Sequence, residues 1–138
     1  MNKYGLKFHH LGLATDNFKL TMKTLKNFGY KTKSIKYNKN YNVKNALCVS
    51  KTEPDIEIVS KGKGKSPIDN IIKKLPQLVY HICYICNNLE KTLKKFKKNN
   101  IQVVKITDSY LSPFEGVDAS FFYIQGLGIV EIMDKKIK

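Results

Sequence analysis

Two histidines and two glutamates recur at matching positions in the two halves of this 138-residue chain. His10 in the segment FHHLGLATD is matched 71 positions later by His81 in the segment YHICYICN. Glu57 in IEIV is matched 74 positions later by Glu131 in VEIM. If a pseudo-twofold axis relates the halves, the four side chains converge into a mixed nitrogen and oxygen set suited to a divalent ion. The sequence therefore predicts one site for cobalt, manganese, nickel, iron or zinc, with coordination positions left for solvent or substrate.

Each of these residues has an ordinary structural explanation when it is taken alone. A single histidine on a strand is more often structural than a ligand, and a glutamate can lie on the exposed face of an antiparallel strand. However, a carboxylate that faces the interior is costly unless it is paired or binds a metal. All three histidines of the chain also lie in the two repeated opening segments. The matched recurrence of four positions therefore favours a functional site.

The elements that must position these residues follow one order in both halves. Alternation of residue types predicts an opening strand that places His10 on a face of small residues. Asp16 is placed to cap the helix that follows, and Gly29 to end it. The first half is thus predicted to contain a strand, a helix and three strands, at Lys7–Ala14, Phe18–Phe28, Tyr30–Tyr37, Val43–Ser50 and Asp55–Ser60.

The second half repeats this order after a glycine-rich linker, Lys61–Lys65, and a short helix that begins at Ser66 and ends before Pro76. The residues from Thr107 to Asp118 form the longest irregular stretch and are a candidate lid or substrate loop. We predict one domain, residues 1–138, with module one at about 7–60, the linker and short helix at 61–76 and module two at about 79–134. The elements of module two are predicted as strand Val79–Ile85, helix Asn88–Lys98 and strands Ile101–Ile106, Ala119–Gln125 and Ile129–Asp134.

Composition limits the classes of partner. The chain is 42% apolar, which suffices for one compact core. It contains neither a run of about eighteen apolar residues nor a signal peptide, so we expect a cytoplasmic protein without a membrane partner. The net charge of +14 would suggest nucleic acid, but every basic residue is lysine, and base readout favours arginine. We therefore expect no nucleic-acid partner, and we expect three reduced cysteines.

The motifs together resemble the vicinal oxygen chelate superfamily, the glyoxalase and bleomycin-resistance fold, over nearly the whole chain. The segments HLGLA from His10, HICY from His81 and GIVEI around Glu131 look most like methylmalonyl-CoA epimerases. The resemblance implies an α+β fold in which two βαβββ modules form a curved, mainly antiparallel eight-stranded sheet around a cleft. It also implies that the metal is bound by His10, Glu57, His81 and Glu131.

The same resemblance implies a divalent-metal-dependent isomerase or lyase of the methylmalonyl-CoA epimerase type. Such an enzyme abstracts a proton from a small carbonyl or thioester substrate through a metal-stabilised enediolate. Glu131 is the residue expected to be both ligand and catalytic base. The expected partners are a small-molecule substrate, with a CoA thioester as one candidate, and a second copy of the chain as a homodimer.

One position departs from the epimerase pattern. The second carboxylate of those enzymes lies on the third strand, where this chain offers Asn45, and an amide cannot take a proton. Glu115 or Asp118 in the loop could substitute, or the chain could run a one-base or lactoylglutathione lyase-like reaction, or act on a carbohydrate. A non-catalytic protein that sequesters a ligand or antibiotic is the other class. The Cys83 and Cys86 pair is interpreted as small buried residues rather than as a redox or zinc motif.

Overall fold

The computed structural model describes residues 1–136 and, over that range, has three helices and nine strands. Residues 137 and 138, the end of the predicted domain 1–138, lie outside the described residues. The chain divides into two compact units, one formed by His10–Tyr80 and the other by Met1–His9 together with the chain from His81 onward. No helix within residues 1–136 combines the length and the apolar character that crossing a membrane requires.

The first module has the predicted order of one strand, one helix and three strands. Its sheet has the strand order β2-β3-β4-β1, in which β1 runs parallel to β4 and the other neighbours are antiparallel. The elements are β1 (Leu6–Thr15), α1 (Phe18–Asn27), β2 (Lys31–Asn38), β3 (Val43–Val49) and β4 (Ile56–Lys61).

The helix α1 begins one residue later than its predicted cap implies. Asn17, not Asp16, is the N-cap, because its side-chain oxygen accepts a hydrogen bond from the backbone N–H of Leu20 at 3.1 Å. A cap satisfies the N–H group two or three residues ahead, and Asn17 is the residue at that spacing from Leu20. The helix ends as predicted, near Gly29, whose φ of +94° favours glycine.

The core of the first unit lies between α1 and one face of its sheet. Leu25 of the helix packs with Ala46 and Ile58 of the strands. Because side chains alternate between the two faces of a strand, Glu57 projects from the face opposite Ile58. His10 lies on that same face, because it precedes Gly12, the strand partner of Glu57, by two residues.

The linker after β4 forms two hydrogen bonds with the side chain of Asn42. The Asn42 side-chain amide donates hydrogen bonds to the carbonyls of Lys63 and Lys65, at 2.6 and 2.9 Å. The short helix α2 (Asp69–Lys74) follows and ends before Pro76, as predicted.

The second module repeats the order, with one additional short strand. Its strand order is β5-β9-β8-β6, with β7 paired to β8, and β5 runs parallel to β9 while the other pairs are antiparallel. The elements are β5 (Gln77–Cys86), α3 (Leu89–Lys98), β6 (Val103–Lys105), β7 (Tyr110–Leu111), β8 (Asp118–Ile124) and β9 (Gly128–Asp134).

The predicted α+β fold class with two βαβββ modules is confirmed, and the strand count is nine rather than eight. The extra strand is β7, which lies inside the stretch from Thr107 to Asp118 that was predicted to be irregular. It exists because Tyr110 pairs with Ala119 and Leu111 with Asp118. The core of this module lies between α3 and one face of its sheet, where Phe96 packs against strand residues, as Leu25 of α1 does in the first module.

Candidate functional site

In each module, a histidine and a glutamate project from the face of the sheet that lies opposite the helix. In the first module, Glu57 on β4 pairs with Gly12 on β1, which is the second residue after His10. In the second module, Glu131 on β9 pairs with the second residue after His81 on β5. Both pairs of strands are parallel, so the two modules present their His and Glu in the same register. The sequence repeat is thus also a repeat of local geometry.

The first pair is almost completely buried, with His10 1% and Glu57 3% exposed. The His10 Nε2 atom lies 3.6 Å from Glu57 Oε2, which is longer than a hydrogen bond. The other carboxylate oxygen, Oε1, accepts a hydrogen bond of 3.3 Å from the Asn45 side-chain amide on β3. Asn45 therefore orients Glu57.

The imidazole of His81 is buried against an aromatic ring of its own module. The ring of Phe121 on β8 meets it edge to face, with 5.0 Å between the ring centroids. Burial lowers the pKa of His81 from 6.5 to about 3, because the surroundings disfavour the charged form. The imidazole is therefore neutral at pH 7 and keeps the lone pair that a metal ligand requires.

The carboxylate of Glu131 receives a donor on each oxygen. The Cys83 thiol donates to Oε1 at 3.0 Å, and the Tyr110 hydroxyl donates to Oε2. Burial raises the pKa of Glu131, and the hydrogen bonds from Cys83 and Tyr110, together with the nearby imidazole of His9, act in the opposite direction. Such a carboxylate is a stronger base than an exposed one, while its donors still favour the ionised form.

The two loop acids proposed as a second acid or base lie in different environments. Glu115 is partly exposed, and its Oε1 atom lies 2.9 Å from His9 Nε2. Asp118 forms an ion pair with Lys136. Ala119 packs in an apolar cluster on the face of the sheet that carries Glu131. Because side chains alternate between the two faces of a strand, the preceding residue, Asp118, points toward the other face.

The residues present fit a divalent ion. Ligand nitrogens and oxygens lie about 2.0–2.2 Å from such an ion, so two of them can be up to about 4.3 Å apart, and the 3.6 Å separation in the His10–Glu57 pair is within that limit. A buried carboxylate is stabilised when it is paired or metal-bound, and each module buries one. The imidazole and carboxylate donors are typical of open zinc, iron, cobalt or manganese sites.

Three contacts at the site were not predicted from the sequence. The hydrogen bond from Asn45 to Glu57, and those from Cys83 and Tyr110 to Glu131, each depend on strand pairing rather than on local spacing. Only the contact of Cys83 had a visible signal, because that residue follows His81 by two positions and so shares its face. Cys83 and Cys86 are both buried, as predicted, and the Cys83 thiol in addition donates a hydrogen bond to Glu131.

Comparison with known proteins agrees with this architecture. The sequence model of the Glyoxalase/Bleomycin resistance protein/Dioxygenase superfamily matches residues 9–131. Curated protein sequences give no significant match. Among solved structures, a hypothetical protein from Bacillus halodurans C-125 is similar with a TM-score of 0.79 at 21% identity, covering 96% of each chain.

Methylmalonyl-CoA epimerases are also among the similar structures. The enzyme from Mycobacterium tuberculosis has a TM-score of 0.75 at 13% identity, with 92% of this chain and 86% of the other covered. A variant of the Streptomyces coelicolor enzyme in complex with 2-nitronate-propionyl-CoA has a TM-score of 0.71 at 13% identity, with 95% and 98% covered. At these identities the likeness establishes the fold.

Proposed function

Because this chain belongs to the Glyoxalase/Bleomycin resistance protein/Dioxygenase superfamily, we propose that it is a divalent-metal-dependent isomerase or lyase. Its substrate would be a small carbonyl compound or thioester, from which it removes a proton next to the carbonyl, as a methylmalonyl-CoA epimerase does. We further propose that one ion is held by His10, Glu57, His81 and Glu131.

The repeated register of the two His and Glu pairs carries this proposal. Both glutamates are at most 4% exposed, and both histidines at most 2%. Burying the carboxylate of Glu57 in one module and that of Glu131 in the other costs free energy of folding. Apolar side chains at these two positions would fill a purely structural role without that cost. Sequestration of an apolar ligand would be served by an apolar face without this cost. The pairs therefore favour a metalloenzyme over a sequestering protein.

A bound divalent ion would polarise the substrate carbonyl and make the neighbouring C–H more acidic. Glu131 is the proposed base that accepts this proton. Its burial raises its pKa, and a base with a pKa nearer the working pH is more effective. Glu57 instead accepts a hydrogen bond from the Asn45 amide, which fixes the orientation of this carboxylate. We assign Glu57 a ligand role and Glu131 the roles of ligand and base.

The second acid or base, which a two-base epimerisation needs, remains a proposal for the loop residues Glu115 and Asp118. Glu115 is the better placed of the two, since it contacts His9 on β1, whereas Asp118 pairs with Lys136. A one-base reaction of the lactoylglutathione lyase type is the alternative if neither residue contributes.

A CoA thioester is the substrate class we favour, because the similar Streptomyces coelicolor epimerase structure contains 2-nitronate-propionyl-CoA. The net charge of +14 would favour an anionic substrate of this kind. A cytoplasmic location and a homodimer belong to the same proposal.

Deuterium exchange tests the proposal. Metal-loaded protein in deuterated water should introduce deuterium at the α carbon of a methylmalonyl thioester, and Glu131→Gln should slow this by roughly 100-fold or more. Glu90→Gln, on the exposed surface of α3, is the matched control and should leave the rate unchanged. Full exchange by Glu131→Gln would show that the base is wrongly assigned. If no carbonyl compound exchanges, sequestration becomes the better interpretation.

A further inference from the structure

The carboxylate of Glu131 is held by donors from two different elements. The Cys83 thiol on β5 donates to Oε1, and the Tyr110 hydroxyl on β7 donates to Oε2. One donor on each oxygen fixes both the rotation and the plane of the carboxylate. Of the two, Cys83 lies on a long strand next to Glu131, whereas Tyr110 reaches it from a two-residue strand within a loop.

Tyr110 is itself held in place by a neighbouring ring. Its side chain stacks on Phe121, with 5.9 Å between the centroids and 17° between the planes, and its backbone pairs with Ala119. The same Phe121 ring contacts His81 edge to face at 5.0 Å. One aromatic side chain thus supports both the tyrosine that binds Glu131 and the histidine of the same module.

The strand β7 distinguishes the second module from the first. Among residues 10–80 the structure shows no strand that corresponds to β7, because β2 and β3 are joined by the short turn 39–42. Glu57 accepts a hydrogen bond from an amide, Asn45, on the sheet itself. The hydroxyl of Tyr110 thus reaches the carboxylate that we assign as ligand and base from a strand with no counterpart among residues 10–80.

Both donors at Glu131 act on the charged form of the carboxylate. Hydrogen bonds to an ionised acceptor are roughly twice as strong as neutral ones, so Tyr110 and Cys83 stabilise the anion against the effect of burial. A carboxylate must be an anion both to bind a metal and to accept a proton. A second contact that orients a metal ligand typically changes metal affinity by about 10- to 100-fold when it is removed.

We propose that Tyr110 is a positioning residue, which holds the Glu131 carboxylate in its ligand orientation and thereby links the loop 107–118 to the site. It acts through Glu131 and not on the substrate. The proposal rests on the proposed metal-dependent function, which supplies the ligand that Glu131 would bind. It adds a residue to the site from a segment whose contribution the sequence repeat does not reveal.

Metal affinity is the first test. Calorimetric titration of the metal-free full chain with Mn²⁺ or Co²⁺ should show binding weakened by about 10- to 100-fold in Tyr110→Phe. Tyr123→Phe is the matched control, because Tyr123 is half-exposed on β8, and its affinity should equal that of the wild type. Cys83→Ser retains a donor and should bind more tightly than Cys83→Ala. Unchanged affinity in Tyr110→Phe would overturn the proposal while leaving the proposed function intact.

A second readout needs no metal. A phenolic proton bonded to a carboxylate should give a downfield proton resonance that disappears in Tyr110→Phe and moves upfield in Glu131→Gln. If the wild type binds no divalent ion but shows this behaviour, the proposed function fails and the contact between Tyr110 and Glu131 stands. If the resonance does not respond to Glu131→Gln, the positioning role is overturned whether or not metal binds.

Discussion

The substitution Glu131→Gln should stabilise the metal-free protein and destabilise the metal-loaded one. In the metal-free protein, burying the anion costs about 3 kcal/mol, the lower end of the several kcal/mol typical of an ion, because two donors replace part of its hydration. The neutral amide removes that cost but keeps one acceptor oxygen, so one of the hydrogen bonds from Cys83 and Tyr110 is weakened and the other must reverse, with the amide NH2 donating to the thiol or hydroxyl, at a combined cost of about 1–2 kcal/mol. The net gain is about 1–2 kcal/mol, or a rise in Tm of roughly 3–8 °C.

The pH dependence of this difference follows from the raised pKa of Glu131. As the pH falls, the folded wild type takes up the proton before the unfolded chain does, so the cost of the buried charge disappears. The advantage of Glu131→Gln should therefore be largest at neutral pH and vanish by about pH 4.5.

Thermal unfolding with and without metal measures both effects. With metal at 100 times Kd, the wild type should gain about 2.7 kcal/mol, while Glu131→Gln should gain less because it lacks a ligand. The order of the two Tm values should thus reverse on adding metal. Glu90→Gln, at an exposed ion pair of α3, should track the wild type throughout. A metal-free Glu131→Gln protein that is less stable than the wild type at pH 7 would refute the reasoning.

Three further predictions concern other parts of the chain. Relative to His81→Gln, the free energy of unfolding of the wild type should fall by about 1.4 kcal/mol per pH unit below pH 6.5. The reason is that His81 is protonated in the unfolded chain at these pH values but stays neutral in the folded chain down to its pKa of about 3. Denaturant titrations at a series of pH values measure this fall. Burial raises the pKa of Cys86 to about 11, so a thiol reagent at pH 8 should label it only after unfolding. Gly62→Ala should cost about 0.5–1.5 kcal/mol in thermal unfolding, because the new Cβ would lie 2.3 Å from Asn42 Oδ1 and displace a side chain that bonds the linker carbonyls, and an unchanged Tm would contradict these contacts.

The internal repeat allowed much of the fold and the faces of the site residues to be predicted. Burial alternates along β1 with a period of two, so His10, Gly12 and Ala14 are all buried as the sequence indicates. The same period places Glu57 opposite the apolar residues that face α1. These features are local, and local periodicity is what a single sequence records best.

Features that depend on long-range pairing were not predictable in the same way. β7 is two residues long and is a strand only because it pairs with β8. The residue pattern around Tyr110 therefore gives no indication of its contact with Glu131. The choice of Asn17 over Asp16 as the cap of α1 also escaped prediction. Both residues have capping side chains, and only the observed backbone decides which one reaches the N–H of Leu20.

Anomalous scattering from crystals grown with Co²⁺ is the most direct test of the proposal that one divalent ion is held by His10, Glu57, His81 and Glu131. We expect a single strong anomalous peak with a nitrogen of each histidine and an oxygen of each glutamate within about 2.0–2.3 Å. The peak should be lost or much reduced in crystals of His81→Ala. A fully loaded sample with no peak at these residues, or with the ion bound elsewhere, would contradict it.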